Sequence, residues 1–186
     1  MLLKYFKISS IILLFFQIPL YSKTNSLNEF NSKNLSNYFS GIVAFENKEN
    51  LEALKFFRSS KILINKHDPY LKRYVYSLVL EGKVQVAAIE IKQNLNSNNS
   101  SFFEAYLILS LESLKRGKFD KSKHYLEKSS KFINNDRFAL IIYETLKQYL
   151  YVFLENKIQK TNKNFGNLSF INETFQRCYL EDQNTK

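Results

Sequence analysis

Gly41-Ile-Val-Ala-Phe-Glu-Asn-Lys-Glu-Asn-Leu-Glu-Ala-Leu-Lys-Phe-Phe57 decides the fold of this chain. Two apolar-periodic stretches flank the polar break Glu46-Asn-Lys-Glu49. A break this short leaves room only for a tight turn between two helices. Ala53 lies five residues beyond Lys48, the middle of the break, and Phe57 comes four residues later, one helical turn on. Where two helices of a pair cross, a bulky side chain would hold them apart, so a small residue is needed there. Phe57 then fills the space beside the crossing. Gly41 and Ala44 are the small residues of the facing helix.

The pattern recurs. Glu81-Gly-Lys83 and Arg116-Gly-Lys-Phe-Asp120 are two more such breaks, with Ala87 five residues beyond Gly82 and Ser122 five beyond Gly117. Ala53 to Ala87 is 34 residues and Ala87 to Ser122 is 35. Ile91 and Leu126 repeat the role of Phe57, and Ser110 and Ser113 that of Gly41 and Ala44. The second unit departs, with Val75 and Leu78 at those places. Helix pairs are predicted at 35–47 with 49–65, 69–81 with 83–96, and 101–116 with 118–133. Asp68-Pro69, Ser100-Ser101 and Asn135-Asp136 supply capping oxygens and a first-turn proline for the next helix in each case. A longer helix is predicted over 136–158. A final amphipathic one is predicted over 168–180, carrying Leu168, Phe170, Ile171, Phe175, Tyr179 and Leu180.

A helix–turn–helix unit of this period, with small, small and large residues at fixed places, resembles the tetratricopeptide repeat. Tyr38-Phe-Ser-Gly41, Ala44-Phe45, Ala53-Leu-Lys-Phe-Phe57 and Asp68-Pro69 carry the resemblance most clearly. It covers about residues 35–134, and the segment is similar to the N-terminal part of longer exported alphaproteobacterial proteins of that family. The resemblance implies an all-α, right-handed α-solenoid of antiparallel hairpins, about three repeats plus further C-terminal helices. It implies a concave face of first helices that binds a partner peptide or helix. Carried over by register, the partner-binding positions are Tyr38, Ile42, Lys72, Arg73, Tyr76 and Lys115, accompanied by Phe39, Phe45, Val79, Leu107 and Leu111. The repeat-defining packing residues are Gly41, Ala44, Ala53, Phe57, Ala87, Ile91, Ser122 and Leu126.

Composition narrows the functional classes. Gly (4) and Pro (2) are too few for the turns of a β-sandwich or barrel. The formal charge is +10, but arginine occurs only at Arg58, Arg73, Arg116, Arg137 and Arg177. Lysines scattered among Asn and Ile read as compositional bias. No specific nucleic-acid partner is expected from them, since nucleic-acid readers favour arginine's planar fork. A basic surface meeting an anionic membrane or nucleic acid is the alternative function. His67 and His124 stand far apart, and the chain has no His-Glu-x-x-His, no Gly-x-Ser-x-Gly and no phosphate loop. No catalytic residue, metal site or cofactor is therefore assigned. Cys178, the only cysteine, is read as a semi-buried apolar side chain.

Residues 1–22 read as an export signal or N-terminal anchor. Lys4 and Lys7 precede the apolar run Ile8–Leu20, and Ser22 precedes polar sequence. That run spans 13 residues, whereas a spanning helix needs about 20. Removing residues 1–22 takes away two lysines and no acid, leaving +8. The expected location is the periplasm of a Gram-negative bacterium, or the inner membrane facing it if the segment stays attached. Membrane contact is expected only through that uncleaved segment. Residues 23–34 read as a polar linker, 35–134 as three hairpins, 135–180 as further helices continuing the array, and 181–186 as a tail. An end helix with a polar outer face is what a solenoid needs. The apolar content of 168–180 instead points to self-association there, or to a chain that is a fragment.

Overall fold

The computed structural model describes residues 31–95, 101–159 and 163–184. The segment read as an export signal or anchor, most of the expected linker, the expected cap at Ser100 and the end of the expected tail lie outside the described residues. Contacts divide the chain after Ser32 into two units, and apart from Ser32 itself the described helices belong to the second, Lys33–Lys186. Among the described residues there are eight α-helices and no strand. They are α1 (Ser32–Glu46), α2 (Asn50–Ser59), α3 (Pro69–Leu80), α4 (Val84–Asn94), α5 (Phe103–Lys115), α6 (Phe119–Ser129), α7 (Arg137–Glu155) and α8 (Asn167–Asn184). Short 3-10 turns, Lys61–Leu63 and Ser130–Phe132, extend α2 and α6.

The three breaks fold into the same turn. Its central residue is left-handed each time, with φ of 64° at Lys48, 70° at Gly82 and 67° at Gly117. The N–H groups of these residues donate to the carbonyls of Phe45, Val79 and Leu114 at 3.0, 2.9 and 2.9 Å. The next N–H groups, of Glu49, Lys83 and Lys118, reach back to Ala44, Leu78 and Ser113 at 2.9, 2.8 and 2.9 Å. This is the Schellman closure, which satisfies the last carbonyls of a helix and suits glycine at its left-handed position.

Helix crossings depend directly on these turns. Ala53, Ala87 and Ser122 are fully buried, as are the large residues one turn later, Phe57, Ile91 and Leu126, within 2%. Gly41 is closed in by Phe57: a Cβ there would stand 2.9 Å from two of its ring atoms. In the third unit serine replaces glycine. The hydroxyls of Ser110 and Ser122 lie 2.9 Å apart, and each donates to the other's carbonyl, at 2.9 and 2.8 Å. Both side chains are buried, so these bonds satisfy polar atoms that would otherwise be costly. One apolar core runs from α1 through α5, from Tyr38 to Leu109. Its centre is aromatic: Tyr38 stacks on Tyr70 with centroids 5.7 Å apart, Phe57 meets Tyr70 edge-on, and the Tyr70 hydroxyl donates to the Phe57 carbonyl. A smaller core joins Phe103, Ile133 and Ala139 under α7.

Helix boundaries and caps depart from the sequence reading at several places. α1 begins at Ser32, so residues 32–34 of the expected linker are its first turn. α8 extends to Asn184 rather than ending at 180. Asp68 makes no capping bond, and α5 is preceded by Phe102 instead of a polar cap, whereas Asp136 caps α7 by accepting from Phe138 N at 2.8 Å and Ala139 N at 3.1 Å. The expected cap at Asp68 gives way because helical geometry already begins at Asp68 (φ −49°, ψ −46°), whereas a capping residue needs an extended backbone.

The C-terminal helices depart more deeply. α6 and α7 run in opposite directions, since Phe119 meets Phe153 while Glu127 and Tyr143 share a cleft. α8 runs alongside α7 in the same direction, since Asn172 meets Thr145 and Tyr149 while Tyr179 meets Phe153. Lys163, which precedes α8, pairs with Glu144 of α7 at 2.5 Å. α8 therefore does not continue an alternation of directions. Among its described residues the buried side chains are Asn172 and Gln176, Phe170 and Ile171 are exposed, and Phe175, partly exposed, packs on Tyr149 and Phe153. The amides explain this inversion. Asn172 Nδ2 donates to Thr145 Oγ1 at 3.1 Å, Tyr149 OH donates to Asn172 Oδ1 at 2.7 Å, and Gln176 Nε2 donates to Gln148 Oε1 at 3.2 Å. Gln176 Oε1 also accepts from the Gln159 N–H at 2.8 Å. Cys178 lies on the outer side and is exposed, not semi-buried.

Candidate partner surface along the first helices

The first helices of the three units, α1, α3 and α5, touch one another through side chains. The Tyr38–Tyr70 stack and an Arg73–Glu46 ion pair at 3.8 Å join α1 to α3. Glu104, in the first turn of α5, joins it to α3. Its Oε1 accepts from the Tyr76 hydroxyl at 2.5 Å, and its Oε2 lies 3.5 Å from Lys72 Nζ. The Lys72 ammonium also stands 5.5 Å above the Tyr76 ring and 5.6 Å above that of Phe102, within cation–π reach. Burial, the hydrogen bond to Glu104 and its charge all push the Tyr76 hydroxyl well above the ordinary tyrosine range. Burial also raises Tyr38, against the opposing influence of Arg73.

These contacts revise the sequence-derived site. Tyr38 is buried among Tyr70, Phe57 and His67, so it is a core residue and not one that meets a partner. Aromatic character in the right register marked it, but the same character makes it the filler between α1 and α3. Ile42 is half-buried against the core. Lys72, Arg73 and Tyr76 are half-buried and already matched by Glu46 and Glu104. Lys115 is exposed and makes no ion pair among the described residues. Glu104 was the missed residue. The signal was its place three residues before Leu107, one turn earlier on the same helical face.

Besides Lys115, what remains open is apolar. Leu35, Phe39 and Val43, at i, i+4 and i+8 of α1, are exposed, Phe39 by 55% and Val43 by 61%. Phe39 and Val43 border a groove lined also by Ser36, Ser40, Glu49 and Phe56, with a volume of about 500 Å³. A second cleft, of about 240 Å³, lies between α6 and α7, and Lys123, Glu127, Lys147 and Glu155 on it offset one another in charge. Among the described residues, no group of three or more His, Cys, Asp or Glu side chains could hold a metal ion. No described helix is long and apolar enough to cross a membrane. No protein-family model matches the chain, and no curated protein and no solved structure is significantly similar to it.

Proposed function

We propose that this chain is a non-catalytic scaffold: an array of tetratricopeptide-like helical hairpins, exported to the cell envelope, that captures an apolar segment or helix of a partner protein. The observation that supports it is the exposed stripe Leu35, Phe39, Val43 on α1 beside the Phe56-lined groove. Apolar anchors at helical spacing along a groove are what receives an amphipathic helix. The thrice-repeated turn, at 34- and 35-residue intervals from Lys48 to Gly82 to Gly117, supports the solenoid. Such a stack would lay its first helices side by side. With Lys72 and Arg73 matched internally, the apolar stripe is the better binding element, and the charged residues set the stack's own spacing.

Site-directed photocrosslinking tests the reading. A benzophenone side chain replacing Phe39 or Val43 should join the chain to one discrete envelope protein. The same group replacing Val86, exposed on α4, should not. Absence of an adduct at 39 and 43, or the same adducts at all three positions, overturns the proposal. Export is tested separately, by fusing residues 1–40 to a reporter active only outside the cytoplasm; a silent reporter removes it.

A further inference from the structure

The lysines that composition scatters are sorted in space. Three partly exposed lysines each bridge to a carboxylate on a separate helix: Lys61 meets Glu90, Lys72 meets Glu104 and Lys163 meets Glu144. One cleft, away from the first-helix surface, does not obey this rule. Between α4 and α6, Lys92, Lys121, Lys128 and His124 line a depression of about 430 Å³, together with Leu95, Tyr106 and Tyr125. None of its described lining residues is a carboxylate, and its three lysines make no ion pair among the described residues. α6 carries two acids: Glu127 lines the cleft on the other side of that helix, toward α7, and Asp120, in its first turn, is not among the residues lining the depression.

The arrangement comes from helical periodicity. Lys121, His124, Tyr125 and Lys128 fall at i, i+3, i+4 and i+7, one face of α6. Leu95, Tyr106 and Tyr125 give the depression partly apolar walls. The Lys121 ammonium stands 6.0 Å from the Tyr125 ring, and the Tyr106 hydroxyl lies 3.3 Å from Ser101 Oγ. Lys121 and Lys128 on that face and Lys92 on α4 are like charges lining one depression, and a multivalent anion placed among them converts their repulsion into charge-assisted hydrogen bonds. The size falls within the roughly 300–1,000 Å³ of small-molecule sites. Ammonium groups around hydroxyls and ring edges suit a phosphoryl-bearing anion.

We infer that the α4–α6 cleft binds a phosphoryl-bearing anion, either a free phosphate compound or the headgroup of an anionic lipid. The site is independent of the α1 groove. Calorimetric titration of the full chain with inorganic pyrophosphate, and sedimentation with phosphatidylglycerol or phosphatidylcholine vesicles, test it together. Replacing Lys92, Lys121 and Lys128 by Gln should weaken binding by about tenfold per lysine, one charge-assisted hydrogen bond each. All three are exposed, so the helical circular dichroism should stay unchanged. Replacing Lys118, Lys131 and Lys157 by Gln removes the same charge elsewhere and should leave affinity within a few-fold. Pyrophosphate binding without vesicle binding identifies a soluble ligand. Phosphatidylglycerol binding competed by pyrophosphate identifies a headgroup. No binding in either arm, or equal losses in both triple variants, overturns the inference.

Discussion

Gly41→Ala is the substitution that tests the repeat most directly. In an exposed helix it would be stabilising, since alanine exceeds glycine in helix propensity by about 1 kcal/mol. Here the added Cβ stands 2.9 Å from Phe57 Cδ1 and Cε1 and 3.3 Å from Phe56 Cβ. The Phe57 ring cannot swing away, because it is fully buried, with Tyr38 and Tyr70 at centroid distances of 6.0 and 6.1 Å. Overpacking a core in this way costs about 1–3 kcal/mol, so steric cost outweighs propensity and a net loss of about 1 kcal/mol is expected. Denaturant unfolding monitored by circular dichroism should show a lower midpoint with an unchanged slope. Phe57→Leu provides the control. With the ring removed, adding Gly41→Ala should become neutral or stabilising by up to about 1 kcal/mol, because the two positions are coupled through one contact. A Gly41→Ala protein more stable than the parent would refute the idea that α1 and α2 are held together by the absence of a side chain.

The left-handed turns make a second test. Gly82→Ala and Gly117→Ala meet nothing within 4 Å, so their expected cost of about 1 kcal/mol each is conformational alone, and Lys48→Gly should act with the opposite sign. Thermal unfolding measures all three, and a destabilised Lys48→Gly variant would count against an equivalent turn in the first unit. Asp136→Ala removes two capping bonds and should cost about 1 kcal/mol, while Asp136→Asn should recover most of it. Alkaline pH should unfold the chain cooperatively. Burial raises the Tyr70 and Tyr76 hydroxyls above the ordinary value of 10.0, so the folded state keeps protons that the unfolded state loses. The stability they contribute is complete below about pH 10 and declines above it by up to about 1.4 kcal/mol per pH unit for each hydroxyl withheld. Absorbance of the phenolate during titration should therefore show late-ionising tyrosines that track the loss of helix. Ordinary titration of all 12 tyrosines with helix intact would contradict the buried pair.

Sequence periodicity carried the helices and their turns because those depend on local chemistry. Lys48, Gly82 and Gly117 are the centres of short polar breaks and are also the left-handed residues. Ala53, Ala87 and Ser122 are small for a reason visible at one crossing at a time. Long-range pairings were less legible. Glu104 neutralises Lys72 from 32 positions away, and nothing local to either residue announces the other. Tyr38 could be read equally as a surface aromatic or as the stacking partner of Tyr70, and only the placement of α3 decides. α8 was the hardest case. Hydrophobic patterning assumes that apolar residues face inward, but Asn172 and Gln176 find amide and hydroxyl partners on α7 and leave Phe170 and Ile171 outside. The α4–α6 cleft was hidden by averaging: Lys92 and Lys128 look like two of many lysines until the helices carrying them meet.

The amide pairs between α7 and α8 also bear on uniqueness. A seam of interchangeable hydrocarbon would accept sliding by a turn or reversal of one helix at modest cost. Paired amides and hydroxyls do not, because each displaced register strands buried donors and acceptors. Asn172 against Thr145 and Tyr149, with Gln176 against Gln148, thus acts as a key that admits α8 in one orientation and one register. Leucines in their place would hold the helix more tightly and say less about where it belongs, a trade of specificity for adhesion.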